Sequence, residues 1–341
     1  MPQNGIIATM KLSSLGEFGL IELIRKASQH SLSPGTKPLS RLVLGIGDDA
    51  AAWRGNELVQ LATTDALVEG VHFTFASTSW KDLGHKALAV NLSDIAAMGG
   101  TPTYAFVSLC CPPDVDSDDV LAFYEGLNGL AARYDVVVAG GNLTRAPEVS
   151  ATVFVTGEVP EERMLTRSAA RAGQAVAITG NIGGASAAVS ALRDGRVANE
   201  LPAGLSAALS RPEPRLAEAR RFTDAGIRCG IDISDGLLAD LTHICEASDV
   251  SAVIEVERVP LHPDCVSHSQ GPNMAALSGG EDYELLVVGD TDSIRRAAET
   301  IDIAVTIIGR IVDRVDAPRV SAIDARGTEI SQTGKGWNHF R

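Results

Sequence analysis

Three short stretches in the first half of the chain place carboxylates beside apolar runs: Gly45-Ile46-Gly47-Asp48-Asp49-Ala50, Thr63-Thr64-Asp65 and Asn91-Leu92-Ser93-Asp94. A fourth, Asp232-Ile233-Ser234-Asp235-Gly236, repeats the theme in the second half. Carboxylates that converge repel one another and stay ionised together only around positive charge, for which hard divalent cations with oxygen ligands are the usual solution. The chemistry these groups suggest is therefore magnesium-assisted work on phosphates. Taken singly, Asp48, Asp49, Asp65 and Asp94 are equally well read as turn or capping residues, and Asp232 with Asp235 as an N-cap pair at a helix start.

The elements that must position these groups follow from periodicity. Gly16 to His30 has helical spacing and is followed by a loop to Ser40. Arg41–Ile46 and Glu57–Thr64 read as strands that deliver Asp48, Asp49 and Asp65 at their ends. Ser79-x-x-Asp82 resembles a capping box opening a helix over 81–98, stopped by Gly99-Gly100, on which Asn91 and Asp94 share a face. Tyr104–Cys110 reads as a strand, 117–134 as a helix capped by Ser117-Asp118-Asp119, Asp135–Ala139 as a buried strand running into Gly140-Gly141-Asn142, and Ser150–Gly157 as another strand. Pro160-Glu161-Glu162 marks a boundary, giving expected domains of 1–160 and 161–341. Beyond it come strands at 174–179, 228–233, 252–259, 284–288, 304–311 and 319–323, with helices at 185–192, 212–225, 237–248 and 292–300. Strands and helices interleave throughout, so the fold class is mixed α/β.

Composition limits the partners. With 29 Lys plus Arg against 43 Asp plus Glu, the net charge of −14 argues against a nucleic-acid surface or a polybasic membrane face. No run is long enough to span a bilayer and the N-terminus lacks a basic region followed by an apolar stretch, so a cytoplasmic protein is expected. The five cysteines have no C-x-x-C spacing and read as free thiols. There is no G-x-x-x-x-G-K-[ST] and no H-R-D loop, and Gly180-Asn181-Ile182-Gly183-Gly184 is too loose for a dinucleotide fingerprint.

The acidic stretches, together with His72-Phe73, the run from Lys86 to Gly99, Leu165-Thr166-Arg167, the run Ser278-Gly279-Gly280-Glu281-Asp282-Tyr283-Glu284-Leu285 and Lys335-Gly336-Trp337-Asn338-His339-Phe340, resemble the thiamine-monophosphate kinase family. That family belongs to the aminoimidazole-ribonucleotide-synthetase-like superfamily. The resemblance implies a two-domain PurM-like fold, with N-terminal sheets pairing into a barrel across a homodimer, and transfer of the ATP γ-phosphoryl group to thiamine monophosphate. It further implies that Asp49, Thr63, Thr64, Asp65, Asp94, Asp232 and Asp235 hold several Mg2+ ions, with Asp65, Asp94 and Asp235 at the centre of catalysis. Gly141, Asn142, Arg167, Ser234 and Tyr124 would contact the nucleotide, and His72, Glu281 and Trp337 the thiamine monophosphate. Asn142 departs from the Gly-Gly-Asp of many members, so the ligand it offers is an uncharged amide oxygen. Two alternatives stand beside this reading: another synthetase of the superfamily, and a nucleotide-binding homologue without catalysis.

Overall fold

The computed structural model describes Glu22 and residues 41–44, 47–55, 57–268, 271–314, 316–317 and 319–330. The expected helix at 16–30, apart from Glu22, its following loop, Gly45-Ile46 and the Lys335–Phe340 stretch with Trp337 lie outside the described residues.

The strands are β1 (Leu42–Leu44), β2 (Ala51–Arg54), β3 (Val59–Val68), β4 (Thr101–Cys111), β5 (Val137–Arg145), β6 (Ser150–Val159), β7 (Ala175–Thr179), β8 (Cys229–Asp232), β9 (Ser251–Glu255), β10 (Leu285–Gly289), β11 (Val305–Val312) and β12 (Val320–Ile323). Among the described residues they form two six-stranded sheets, ordered β1-β2-β3-β6-β4-β5 and β12-β9-β11-β7-β10-β8. Each sheet is antiparallel except at one edge pair, β4 with β5 and β9 with β12. The helices are α1 (Trp80–Ala97), α2 (Ser117–Arg133), α3 (Gly184–Arg193), α4 (Ala203–Ser210), α5 (Leu216–Asp224), α6 (Leu237–Ser248), α7 (Pro263–His268), α8 (Pro272–Ser278) and α9 (Thr291–Ala298). The mixed α/β class is as expected.

Helix α1 is the spine. Ser79 Oγ accepts the Asp82 N–H at 3.1 Å at its start, and Gly99, with φ +70°, ends it in the left-handed conformation. Leu83, Leu88, Leu92 and Ile95 are fully buried, and so are Ala87, Ala89, Ala96 and Ala97 between them. A helix apolar on all sides must be covered on all sides. Here it packs against β3, β6 and α2 of the first half and against β8 and α5 of the second. One hydrophobic core accordingly joins Leu61, Val107 and Val155 of the first sheet to Ala177 and Val287 of the second.

Glycines set how closely α1 approaches α2. A Cβ on Gly84 would lie 1.8 Å from the Phe123 carbonyl oxygen, and one on Gly126 would lie 1.8 Å from the Lys81 carbonyl oxygen. Those contacts are with backbone, which cannot swing aside. Gly126→Ala is therefore expected to destabilise the fold by about 3 kcal/mol, the upper end of ordinary overpacking costs. A chemical-denaturation midpoint within error of the wild type would show that the helices can separate without penalty.

Several elements differ from the sequence expectation. Strand β3 does not end at Thr64, because its pairing with β6 continues through Asp65↔Val153 to Val68↔Ser150, so Asp65 sits within a strand. Strand β5 is an exposed edge instead of a buried strand, with Val137 and Leu143 facing outward, and it carries Gly140-Gly141-Asn142 within it. A Cβ at Gly141 would lie 2.0 Å from the Val107 carbonyl oxygen, which accounts for glycine there. The cap residue of α2 is Asp116, one position earlier than expected, and its side chain makes no capping bond. Helix α5 begins at Leu216, not Pro212, since Pro212 and Pro214 keep the preceding chain extended. Strand β2 and helices α4, α7 and α8 have too few periodic residues to stand out in the sequence.

Candidate active site

Four aspartates from four elements meet at one end of α1. Asp49 precedes β2, Asp65 lies in β3, Asp94 in the last turn of α1 and Asp232 at the end of β8. Carboxylate oxygens of Asp49, Asp94 and Asp232 all lie within 4.8 Å of one another, and the charge of Asp65 also acts on Asp94. Neighbours fix the orientation of each. Thr63 Oγ1 donates to Asp94 Oδ2, and Ser93 Oγ donates to Asp232 Oδ2 at 2.7 Å. Asn91 accepts the Asp65 N–H at 3.0 Å while its own amide donates to the Ala87 carbonyl, so the helix holds the strand in register. Arg167 grips Asp49 with two hydrogen bonds of 2.9 and 3.1 Å and stands 3.6 Å from Asp48. Asp48 holds a bridge position and Asp49 a bend ahead of β2, and both carboxylates lie within reach of Arg167.

Burial and mutual repulsion shape the protonation of these groups. Burial, then the charge of Asp65, holds Asp94 well above the usual carboxylate range, and burial, then the charge of Asp49, does the same to Asp232. Asp48 is pushed up to about 7 by burial and the charge of Asp49. The donors are all oxygen, converging and partly desolvated, which is the set a hard divalent cation takes, so the residues present fit Mg2+.

A pH dependence follows. A carboxyl raised in the folded state keeps its proton there at pH values where the unfolded chain has lost it. Its contribution to stability is present below the unfolded value near 3.8 and, for Asp48, lost as pH rises through about 7. Metal-free protein is thus expected to melt at lower temperature at pH 8 than at pH 6. The rise in melting temperature on adding Mg2+ is expected to be larger at pH 8, because cations compete with protons for the same oxygens. Scanning calorimetry at both pH values, with chelator or with Mg2+, measures this, and a Mg2+ effect independent of pH would contradict it.

A cavity of about 450 Å3 opens beside the cluster, lined by Asp65, Asp94 and Asp232 together with His72, Asp235 and Glu281. His72 is set by its Nδ1, which accepts the Val68 N–H at 3.0 Å. The opposite wall is the loop from Ser278 to Glu284, in which Glu281 and Tyr283 adopt left-handed backbone at φ +69° and +50°. Non-glycine residues hold such conformations only when their surroundings enforce them. Here the Glu281 and Tyr283 N–H groups donate to the Ser234 and Ile233 carbonyls at 2.7 and 2.8 Å. Glu284 receives Thr179 Oγ1 at 2.6 Å and Arg215 Nε at 2.7 Å. Asp282 takes the Gly183 N–H at 2.9 Å at the start of α3. Lys86, only 2% exposed, places its ammonium 3.1 Å from Glu281 Oε1.

The structure thus brings together Asp49, Thr63, Asp65, Asp94, Asp232 and Arg167, and around the adjoining cavity His72, Ser234, Asp235 and Glu281. It does not bring Thr64, Tyr124, Gly141 or Asn142 into that group. Thr64 Oγ1 donates to the Val153 carbonyl at 3.1 Å. Tyr124 is half-buried on α2 with its ring edge-on to Phe123, and Asn142 on β5 donates to Thr144 Oγ1 at 2.7 Å. Lys86, Ser93 and Asp240 were not singled out from the sequence. Lys86 carried a signal, a lysine within an otherwise apolar helical run, whereas Ser93 and Asp240 become visible only once Asp232 and the turn after it are placed.

Comparisons with known proteins place the chain among relatives. Residues 47–159 match the model described as AIR synthase related protein, N-terminal domain, and residues 171–319 its C-terminal domain. The thiamine-monophosphate kinase of Bacillus subtilis is 34% identical, covering 96% of this chain and all of the relative. That of Escherichia coli K12 is 37% identical over 87% of this chain and 92% of the relative. A solved structure described as AaThiL complexed with AMPPCP and TMP is 33% identical, with a TM-score of 0.82 over 97% of this chain and 99% of that one. Solved HypE structures, at 15–18% identity, share the fold. On its sequence and its fold together, the chain belongs to the thiamine-monophosphate kinase family.

Proposed function

We propose that this protein transfers the γ-phosphoryl group of ATP to the phosphate of thiamine monophosphate, giving thiamine diphosphate and ADP. The observation that carries the reading is the convergence of the Asp49, Asp94 and Asp232 carboxylates beside a cavity whose walls also hold His72 and Glu281. The similarity to a structure described as holding both AMPPCP and TMP supports the choice of substrates.

In this reading Asp49, Asp65, Asp94, Asp232 and Asp235, with Thr63 beside Asp94, would hold Mg2+. Bound there, the ions supply neutralisation of two polyanions and hold them in line. The acceptor oxygen is already anionic at neutral pH, so the chain needs no general base. Its own task is to bind and orient. Glu281, His72 and Trp337 receive the thiamine moiety, whose fixed positive charge suits a carboxylate and an indole face. Ser234, Gly141, Tyr124 and Arg167 take the nucleotide, Arg167 being held in place by Asp49. Residues 1–160 and 161–341 act as two units that meet over the cluster.

The reading extends to a cytoplasmic homodimer. No helix among the described residues is long and apolar enough to cross a membrane. Tyr104, Phe106 and Phe154 stand exposed on the outer face of the first sheet, beside Val137 of the edge strand, an apolar face suited to a second copy of the chain. Incubation with ATP, Mg2+ and thiamine monophosphate, followed by chromatography, is expected to yield thiamine diphosphate and ADP in equal amounts, and no product when unphosphorylated thiamine replaces the monophosphate. ADP without thiamine diphosphate would overturn the reading.

A further inference from the structure

In the turn that leads into helix α6, three successive backbone N–H groups, those of Ser234, Asp235 and Gly236, are aimed at one point. At that point lies Oδ2 of Asp240, 3.1, 3.2 and 3.0 Å from the three nitrogens. Consecutive N–H groups that converge at a helix start make a site for an anion, and in many phosphate-binding proteins the anion is the ligand itself. In this chain the acceptor is internal, a carboxyl oxygen of Asp240. Asp240 is 3% exposed, and its N–H closes the first helical hydrogen bond to the Gly236 carbonyl at 3.0 Å. The turn it gathers is also pressed from the other side, since a Cβ on Gly280 would lie 2.4 Å from the Ser234 carbonyl oxygen. Gly236 itself has φ +125°.

Resting on the function proposed above, we infer that Asp240 is the positioning residue of the nucleotide–metal side of the cleft. By satisfying the three N–H groups it fixes the turn so that Ser234 and Asp235 face the cavity, and it closes the helix start to phosphate. The phosphates are then left to cations held by aspartates, while His72 on the acceptor side is set by Val68 of β3, and Glu281 hangs from the same turn through its N–H on the Ser234 carbonyl. The carboxylate touches neither substrate.

Asp240→Ala removes the acceptor, whereas Asp240→Asn keeps an oxygen there and loses the charge. The expected result for Asp240→Ala is a rise of roughly tenfold or more in the Mg2+ concentration and the ATP concentration giving half-maximal rate, the scale of a lost outer-shell contact. The KM for thiamine monophosphate is expected to rise by a clearly smaller factor at saturating ATP and Mg2+, since only Glu281 on that side hangs from the turn, a split that a general loosening of the fold would not produce. Asp240→Asn is expected to recover most of the loss. Calorimetric titration of each protein with AMPPCP in Mg2+ is expected to show the same order of affinities without any turnover. If Asp240→Ala does not fold, Asp240→Ser, whose hydroxyl is too short to reach the three N–H groups, takes its place, with faster amide exchange at Ser234 to Gly236 expected in it than in the wild type. Unchanged Mg2+ and nucleotide affinity in the folded Asp240→Ala or Asp240→Ser variant, or equal rises in the constants of both substrates, would overturn the inference. Since the titration needs no acceptor, it reads Asp240 even if the wild-type chain phosphorylates a different substrate.

Discussion

Asp94→Asn is expected to lower turnover at saturating substrates by at least about 1,000-fold, a loss of roughly 4 kcal/mol of transition-state stabilisation, while leaving the fold intact. Asp94 sits where Asp49 and Asp232 meet, and its partner Thr63 can donate to an amide oxygen as well as to a carboxylate. What the substitution removes is one negative charge from a cluster whose members repel one another. Burial and Asp65 already disfavour the ionised Asp94, so the metal-free variant is expected to melt at a higher temperature than the wild type. Loss of function with gain of stability is the signature of a site whose charges are kept for a ligand. Rates from a coupled ADP assay and melting curves with chelator test both halves. Near-normal turnover would remove Asp94 from the metal-holding group, and a lower metal-free melting temperature would show that its charge stabilises the fold.

Glu281→Ala is the second large effect, and it falls on stability as well as binding. It leaves the Lys86 ammonium, 2% exposed, without its carboxylate 3.1 Å away. An uncompensated buried charge of this kind costs about 3–5 kcal/mol. Lys86→Met is expected to cost less, because Glu281 is 26% exposed and its carboxylate can turn to water. The double variant Lys86→Met with Glu281→Gln is expected to recover most of the stability but not the affinity for thiamine monophosphate, if Glu281 faces the thiazolium charge. Denaturant midpoints of these proteins, with Glu281→Gln alone added as the matching single variant, close a double-mutant cycle. Equal destabilisation by Glu281→Ala and Lys86→Met would show that the pair is not the asymmetric contact described.

The elements that carry a long periodic pattern were legible in the sequence: α1 with its Ser79 cap and Gly99 stop, and α6, whose bounds fall at 237 and 248 as expected. So was the acidic character of the site, since Asp49, Asp65, Asp94 and Asp232 do converge. Strand β5 misled because its run of valines reads as buried, while its place at the sheet edge is decided by pairing with β4 alone. Lys86 and Asp240 were passed over for a shared reason. Their partners, Glu281 and the backbone of the turn after β8, come from folded geometry that no local spacing encodes. Asn142 and Tyr124 entered through family resemblance alone, and the chain as described keeps both away from the carboxylates.

The central claim is that the aspartates hold the cations that bring two phosphates together. A crystal of the protein grown with AMPPCP, thiamine monophosphate and Mn2+ in place of Mg2+ tests it directly, through the anomalous signal of the metal. The account predicts more than one manganese peak bounded by the carboxylates of Asp49, Asp94 and Asp232, with the γ-phosphate and the acceptor phosphate bound to them. Both ligands seated in the cleft with no manganese among those three aspartates would contradict it.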